Sequence, residues 1–232
     1  IVVVSAVGGI TDKLIATTTK AVTSDTTYTT DFENICNIHN TIIDGVVPAD
    51  KLTSVKEQIN VLLEEVGTIL KGVEGIEKIS SKDMDLVVSY GERISSIIVA
   101  SVLNAKHWNS LELIKTNKGL RKNILNSALT YSNIEKAYNG EERIVMGGFI
   151  SSDVESGEIT NLGRGGSDYT AAIVAGALNA DALEIWTDVD GFLTADPRMV
   201  RNAYTIEELS YIEAVELSNF GAKVIYPPTI YP

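Results

Sequence analysis

The segment from Leu162 to Thr170 combines the residue types best suited to binding an anion. It reads Leu-Gly-Arg-Gly-Gly-Ser-Asp-Tyr-Thr and precedes an alanine-rich stretch that predicts a helix. Glycines let backbone N–H groups approach a ligand closely, and the start of a helix carries partial positive charge. An anion here would meet these N–H groups, the Arg164 guanidinium and the Ser167 hydroxyl. The alternative is an ordinary tight turn in which Ser167 or Asp168 caps the helix.

A second polar segment follows an apolar run at residues 182–186, which predicts a strand. It reads Trp-Thr-Asp-Val-Asp-Gly over residues 186–191. Ligands of open parallel sheets bind at the carboxyl ends of the strands. Thr187, Asp188 and Asp190 would therefore lie where a ribose, an amine or Mg²⁺ could bind. An Asx turn at Asp190-Gly191 explains the same residues.

Positive charge is scarce in this chain, which makes its distribution informative. The 232 residues include 31 Asp and Glu against 19 Lys and Arg, giving a net charge of −12. Such a surface repels nucleic-acid phosphates, so we expect no nucleic-acid partner. Arg164, Arg198 and Lys223 nevertheless fall near glycine-rich turns in the last third of the chain. This clustering predicts a small anionic ligand.

The first half of the chain adds two candidate ligand-binding segments. Ser5 and Thr11 flank a glycine turn after the buried-type strand at residues 1–7. Gly91 interrupts an apolar helix pattern, which costs about 1 kcal/mol relative to alanine and predicts close packing at that point. The adjacent Glu92, if buried, needs a cation, either Arg93 or an ammonium group of a ligand. The alternative is a Glu–Arg pair on a solvated helix face.

The order of the predicted elements favours an α/β fold with a mainly parallel sheet covered on both faces. We predict strands at 1–7, 108–114, 144–150 and 182–186, and a short strand or hairpin arm at 157–162. Helices are predicted from about residue 11 and at 31–43, 51–70, 82–103, 168–178 and 206–218, with a helix or a loop and helix at 121–138. The single cysteine, Cys36, excludes an internal disulfide and is interpreted as a buried structural thiol. No apolar run approaches the roughly 20 residues that span a bilayer, so no membrane partner is expected.

Seven motifs in fixed order give the chain a specific resemblance. It resembles the aspartate kinases of the amino-acid kinase family, in some features the kinase part of bifunctional aspartokinase–homoserine dehydrogenases. The motifs are Val4-Ser-Ala, Gly91-Glu-Arg93, Gly148-Phe149-Ile150, Leu162-Gly-Arg-Gly-Gly-Ser-Asp168, Ile185-Trp-Thr-Asp-Val-Asp-Gly191, Asp196-Pro-Arg198 and Phe220-Gly-Ala-Lys-Val224. The resemblance implies a three-layer αβα sandwich, with an amino-acid-binding lobe at residues 1–155 and a nucleotide-binding lobe at 156–232.

The resemblance also implies roles for individual residues. Glu92 would receive the α-ammonium group of L-aspartate, Arg164 would bind its α-carboxylate, and Asp168 would be catalytic together with Arg164. Substrate-binding residues would also include Ser5, Thr11, Phe149, Gly165, Gly166 and Ser167. The nucleotide side would be formed by Thr187, Asp188, Leu193, Arg198, Lys223 and Val224. No protein metal site is expected.

The implied reaction is transfer of the ATP γ-phosphoryl group to the β-carboxylate of aspartate, with Mg²⁺ as the second cofactor. This is the first step of lysine, threonine and methionine biosynthesis, and it implies a cytoplasmic, allosteric homo-oligomer. The chain also departs from the family pattern. Leu193 stands where many members have a tyrosine. The family's Lys-Phe-Gly-Gly strand and its regulatory domains are expected to lie outside this chain. The alternatives are a kinase for glutamate derivatives or nucleoside monophosphates, or a catalytically inactive ligand-binding fragment.

Overall fold

The computed structural model describes residues 1–119, 123–187, 191–195, 199–219 and 227–232. The strands of this part are β1 (Val2–Val4), β2 (Lys106–Trp108), β3 (Lys115–Lys118), β4 (Asn123–Leu125), β5 (Ile144–Gly147), β6 (Ile150–Asp153) and β7 (Ile159–Asn161). The helices are α1 (Ile10–Val22), α2 (Tyr28–Val46), α3 (Leu52–Gly72), α4 (Ser81–Val102), α5 (Ser110–Leu113), α6 (Ser127–Ala137), α7 (Gly166–Ala177) and α8 (Tyr211–Asn219), followed by a 3₁₀ helix at Pro227–Ile230.

A parallel sheet in the order β1-β5-β2 lies between two layers of helices. Val2 pairs with Val145, and His107 pairs with Val145 from the other side. Helix α4 packs against all three strands, and α7 packs against β1. Ile144 and Met146 of β5 belong to the core shared with α6 and α7. The predicted three-layer α/β arrangement with a parallel sheet is therefore confirmed.

The second core lies within the helices at the start of the chain. Apolar residues of α1, α2, α3 and α4 form it, including the fully buried Ile10, Ile43 and Ile59. Cys36 is half-buried against this core, and burial raises the pKa of its thiol. These properties agree with a structural thiol. No helix in the described residues has the length and hydropathy needed to span a membrane.

A second, mixed sheet extends the fold toward the glycine-rich turn. Its order is β4-β3-β6-β7, in which β3 and β6 are parallel and the outer pairs are antiparallel. The predicted strand at 144–150 is thus two strands, because the chain turns at Gly148-Phe149 and β6 joins the other sheet. The predicted hairpin arm at 157–162 is present as β7.

Two strand predictions are wrong. Residues 108–114 hold only the last residue of β2 and then α5, whose first turn is capped by the Asn109 side chain accepting from the Leu111 N–H at 3.2 Å. The apolar residues that suggested a strand there are Trp108 and the buried Leu113 and Ile114. Residues 182–187 pair with no strand in the described parts of the chain, and all but Ile185 are exposed. An apolar run becomes a strand only where a neighbour accepts its backbone hydrogen bonds.

Helix α4 positions the turn between β1 and α1 through a close contact. A Cβ atom added to Gly91, in the middle of α4, would lie 2.7 Å from the Ala6 Cβ. Real Cβ atoms do not approach this closely, so only glycine permits the packing. The close packing expected from the glycine within this apolar helix is confirmed.

We therefore expect Gly91→Ala to lower the free energy of unfolding by about 1–3 kcal/mol, since overpacking outweighs the gain in helix propensity. Gly45 of α2 is the matched control, because its added Cβ would contact nothing within 4 Å. Gly45→Ala should raise the free energy of unfolding by about 0.5–1 kcal/mol. Urea unfolding of both variants measures the difference. Equal stabilisation of both would contradict the assigned contact.

Candidate functional site

A cavity of about 410 Å³ lies between the β1–α1 turn, the middle of α4 and the glycine-rich turn before α7. All nine residues predicted to bind or act on the substrate line it: Ser5, Thr11, Glu92, Phe149, Arg164, Gly165, Gly166, Ser167 and Asp168. They come from four segments that are distant in the sequence. The fold therefore brings these nine together at one place, and their roles are taken up below as proposals.

Two helices begin at this cavity without a side-chain cap. The N-cap residues are Gly9 for α1 and Gly165 for α7, with left-handed φ values of 76° and 72°. Neither Ser167 nor Asp168 is the N-cap of α7, so the capping alternative is wrong. Within the described residues, the N–H groups of Thr11 and Asp12 in α1 have no hydrogen-bond acceptor. The same holds for Ser167 and Asp168 in α7.

Free N–H groups at helix starts bind anions, because the donors point outward and the helix dipole places positive potential there. Arg164, on the turn before α7, is exposed and makes no ion pair with the described residues. The cavity thus offers two separate regions with free N–H donors, one of them beside Arg164. Each is suited to one carboxylate or phosphate.

Glu92 contributes a buried negative charge between these regions. Glu92 is 4% exposed, and its Oε1 accepts a hydrogen bond from the Ala6 N–H at 3.3 Å. Oε2 is buried and has no hydrogen-bond partner among the described residues. Burial raises the pKa of this carboxyl from 4.5 to about 7, and hydrogen bonds from the backbone of Ala6 and of Glu92 itself offset only part of that effect. The ionised form of such a carboxyl is costly unless a cation pairs with it.

Arg93 does not supply that cation. Its guanidinium lies 3.6 Å from the Glu65 carboxylate and over the ring of Tyr90, 4.3 Å from the ring centroid. Of the two partners considered from the sequence, only the ammonium group of a ligand remains. The solvated-face alternative for Glu92 is wrong, because the residue is buried.

Asp168 stands at the start of α7 and is half-buried at the cavity. Burial raises the pKa of its carboxyl above the usual range. No group of three or more metal-ligating side chains occurs in the described residues. A divalent cation at Asp168 would therefore depend on oxygen atoms of a ligand, such as phosphate oxygens, and on water.

The structure describes only two of the six residues predicted for the nucleotide side, Thr187 and Leu193. Asp188, Arg198, Lys223 and Val224 lie outside the described residues. Thr187 and Leu193 are described but do not line this cavity, and Leu193 instead forms an isolated bridge with Thr205. The structure therefore does not bring a nucleotide site together in the described part of the chain.

Sequence reasoning missed some residues that line the cavity. They are Asp12 in the first turn of α1, the glycines Gly8, Gly9 and Gly163, and the apolar pair Ala6 and Val7. The glycines could have been found from the same signal that identified Gly165, since each turn leads directly into a helix. Asp12 carries no comparable signal, because acids are common in the first turn of any helix.

Comparison with known proteins shows the family of this chain. The sequence pattern described as the amino acid kinase family matches residues 1–232. The chain belongs to the amino acid kinase family. Among curated members, Aspartokinase 1, chloroplastic, from Arabidopsis thaliana is 32% identical over 100% of this chain and 42% of its own length. A bifunctional aspartokinase/homoserine dehydrogenase from Haemophilus influenzae is 34% identical over 99% of this chain and 29% of its own.

A solved amino acid kinase shows the same fold. E. coli aspartokinase III, crystallised with aspartate and ADP in the R-state, superposes with a TM-score of 0.89 at 32% sequence identity. The match covers 99% of this chain and 52% of that one. This chain thus spans about half of that protein and less than half of the two curated relatives.

The buried carboxyl predicts a pH-dependent stability. Between pH 4.5 and about 7 folded Glu92 keeps a proton that the unfolded chain has released. The free energy of unfolding therefore falls as the pH rises through this window, by up to about 3 kcal/mol for this one group. Glu92→Gln removes the titrating group. Its free energy of unfolding should therefore be higher than that of the wild type at pH 8 and similar to it at pH 4.5. Urea unfolding across this range tests it.

Glu57→Gln on α3 controls for the substitution itself, because Glu57 is exposed and lies outside the cavity. A Glu92→Gln variant whose unfolding free energy follows the wild-type pH profile would contradict the assignment of a buried, ionising Glu92.

Proposed function

We propose that this chain is the catalytic core of an aspartate kinase, which transfers the γ-phosphoryl group of ATP to the β-carboxylate of L-aspartate. The observation that carries the proposal is the unpartnered Glu92 Oε2, buried in a cavity where two uncapped helices begin. One buried carboxyl group together with two regions of free N–H donors, one beside Arg164, complements a small molecule with one ammonium group and two carboxylates. L-aspartate has this composition.

Each group of aspartate then has a partner in the cavity. The α-ammonium group binds Glu92 and neutralises it. The α-carboxylate binds Arg164 and the N–H groups at the start of α7. The β-carboxylate remains for the β1–α1 turn, where Ser5 and Thr11 provide hydroxyl groups and α1 provides free N–H groups. A cavity of about 410 Å³ leaves room for a phosphoryl group beside the amino acid.

The chemistry requires little from the protein beyond positioning and charge neutralisation. A carboxylate is already deprotonated at neutral pH, so no general base is needed. Phosphoryl transfer proceeds in line, with negative charge spread over the equatorial oxygens. Arg164 and the helix N-termini are suited to offset that charge. Asp168, beside them, would orient the reacting groups rather than remove a proton.

ATP and Mg²⁺ complete the proposal. The related E. coli aspartokinase III binds aspartate and ADP together in its crystals, which supports a nucleotide next to this cavity. Asp168 and the phosphate oxygens would hold Mg²⁺, which neutralises phosphate charge when bound. Thr187, Asp188, Leu193, Arg198, Lys223 and Val224 are proposed for the nucleotide side. Residues 1–155 and 156–232 are proposed as the two lobes, in a cytoplasmic homo-oligomer.

The direct test measures acyl phosphate formation by the protein at its native length. With L-aspartate, ATP and Mg²⁺, hydroxylamine should trap aspartyl phosphate as the hydroxamate, whose iron complex is coloured. Reactions with L-glutamate, or without amino acid, are the controls. Hydroxamate formed equally with glutamate would point to a kinase for a different acceptor. Aspartate binding without any hydroxamate would favour a catalytically inactive ligand-binding module and overturn the proposal.

Arg164 should act mainly on aspartate. Loss of a charge-assisted hydrogen-bond pair costs about 1.5–3 kcal/mol, so Arg164→Ala should raise the KM for aspartate about 10- to 100-fold. The KM for ATP should change less than about threefold. Arg143→Ala is the control, because Arg143 is exposed and bonded to Glu142 and the Leu103 carbonyl, outside the cavity. Equal increases in both KM values would contradict this role of Arg164.

A further inference from the structure

Phe149 holds a backbone conformation that is unusual for a side-chain-bearing residue. It connects β5 to β6 and forms one wall of the cavity, with a φ of 64°. Non-glycine residues rarely adopt this left-handed conformation, because the Cβ crowds the backbone. Such strain persists only where the surrounding contacts enforce it. The contacts that enforce it at Phe149 therefore help to shape the cavity.

The Thr170 hydroxyl provides one of these contacts. Thr170 is fully buried in α7 and does not line the cavity. Its Oγ1 accepts a hydrogen bond from the Phe149 N–H at 3.0 Å and donates one to the Gly166 carbonyl at 2.8 Å. A single hydroxyl thus connects the strained residue to the first turn of α7.

The packing around Phe149 makes its position matter for the glycine-rich turn. An added Cβ at Gly166 would lie 2.9 Å from the Phe149 Cδ2, and one at Gly148 would lie 2.7 Å from the Ser167 Cα. The Phe149 carbonyl also accepts the Leu162 N–H at 2.9 Å. Since the wall and the turn are in contact on both sides, a shift of Phe149 displaces the N–H groups at the start of α7.

We propose that Thr170 is a positioning residue of this site, holding Phe149 and the start of α7 in the geometry that binds the carboxylate of the amino acid. The role rests on the proposed function, because aspartate is the ligand whose binding it supports. Thr170 does not line the cavity, so it acts through Phe149 and Gly166.

Thr170→Val and Thr170→Ser separate the hydroxyl from the methyl group. Valine keeps the shape but cannot accept from the Phe149 N–H, whereas serine keeps the hydroxyl. Thr18→Val is the matched control: Thr18 is also fully buried, and its hydroxyl donates to the Leu14 carbonyl four residues earlier at 2.7 Å. Thr170→Ala removes the hydroxyl with less bulk, should the valine variant fold poorly.

Two measurements on the native-length protein decide the proposal. Amide hydrogen exchange at Phe149 should accelerate at least tenfold in Thr170→Val and stay unchanged in Thr170→Ser and Thr18→Val. By calorimetry, Thr170→Val should bind aspartate about tenfold more weakly, with Mg-ATP affinity within twofold of wild type and Thr170→Ser restoring aspartate affinity to within threefold.

The possible failures are distinguishable. Unchanged exchange at Phe149 in the valine variant would show that the hydroxyl does not hold this residue. Accelerated exchange with unchanged aspartate affinity, or parallel losses for aspartate and Mg-ATP, would overturn the positioning role alone. If the wild-type protein binds no aspartate, the proposed function is wrong and the role falls with it.

Discussion

The site depends on keeping one carboxylate, that of Glu92, buried and only half satisfied. Three segments meet to achieve this. The Ala6 N–H binds one oxygen, Gly91 lets α4 approach the β1–α1 turn, and Gly147 brings β5 against the Glu92 backbone, where an added Cβ would lie 3.1 Å from its carbonyl oxygen. Desolvation of the charged form is costly, and either a proton on the carboxyl or a cation at the free oxygen relieves that cost. In the proposed complex, the ammonium group of aspartate relieves this desolvation cost.

The hydrogen-bond donors of the cavity come largely from the backbone. Cationic side chains are scarce in the sequence, and one of them, Arg164, lies at the cavity. The two uncapped helix starts add more donors, since four N–H groups there lack acceptors within the described residues. Because glycine is the N-cap residue in both helices, no side chain competes with a ligand for these donors. Backbone donors are also fixed by the helices, which reduces the reorganisation needed when charge develops on a bound group.

The parts predictable from sequence were those governed by local pattern. Helix periodicity identified α1 to α4, and a glycine in an apolar helix correctly indicated close packing at Gly91. The glycine-rich turn was recognisable because its composition and its position before a helix are both local. The misses depend on distant partners. Arg93 binds Glu65 and Tyr90 rather than Glu92, and the apolar residues 182–186 have no strand partner in the described chain. Phe149, which has a positive φ, donates its N–H to the Thr170 hydroxyl, 21 residues away. No periodicity in the sequence encodes such contacts.

The net charge of −12 and an anionic ligand are compatible because electrostatic forces act locally in salt solution. The Debye length is about 8 Å at physiological ionic strength, so distant exposed acids are largely screened from the cavity mouth. Groups within that distance dominate the approach of a ligand. Arg164 is exposed at the mouth, whereas Glu92 lies deeper and is 4% exposed. In the proposed complex, the guanidinium and the helix donors contact the carboxylates of aspartate, and the buried Glu92 contacts its ammonium group. This local arrangement reconciles the acidity of the whole protein with the proposed anionic ligand, whose one ammonium group distinguishes it from a simple dicarboxylate.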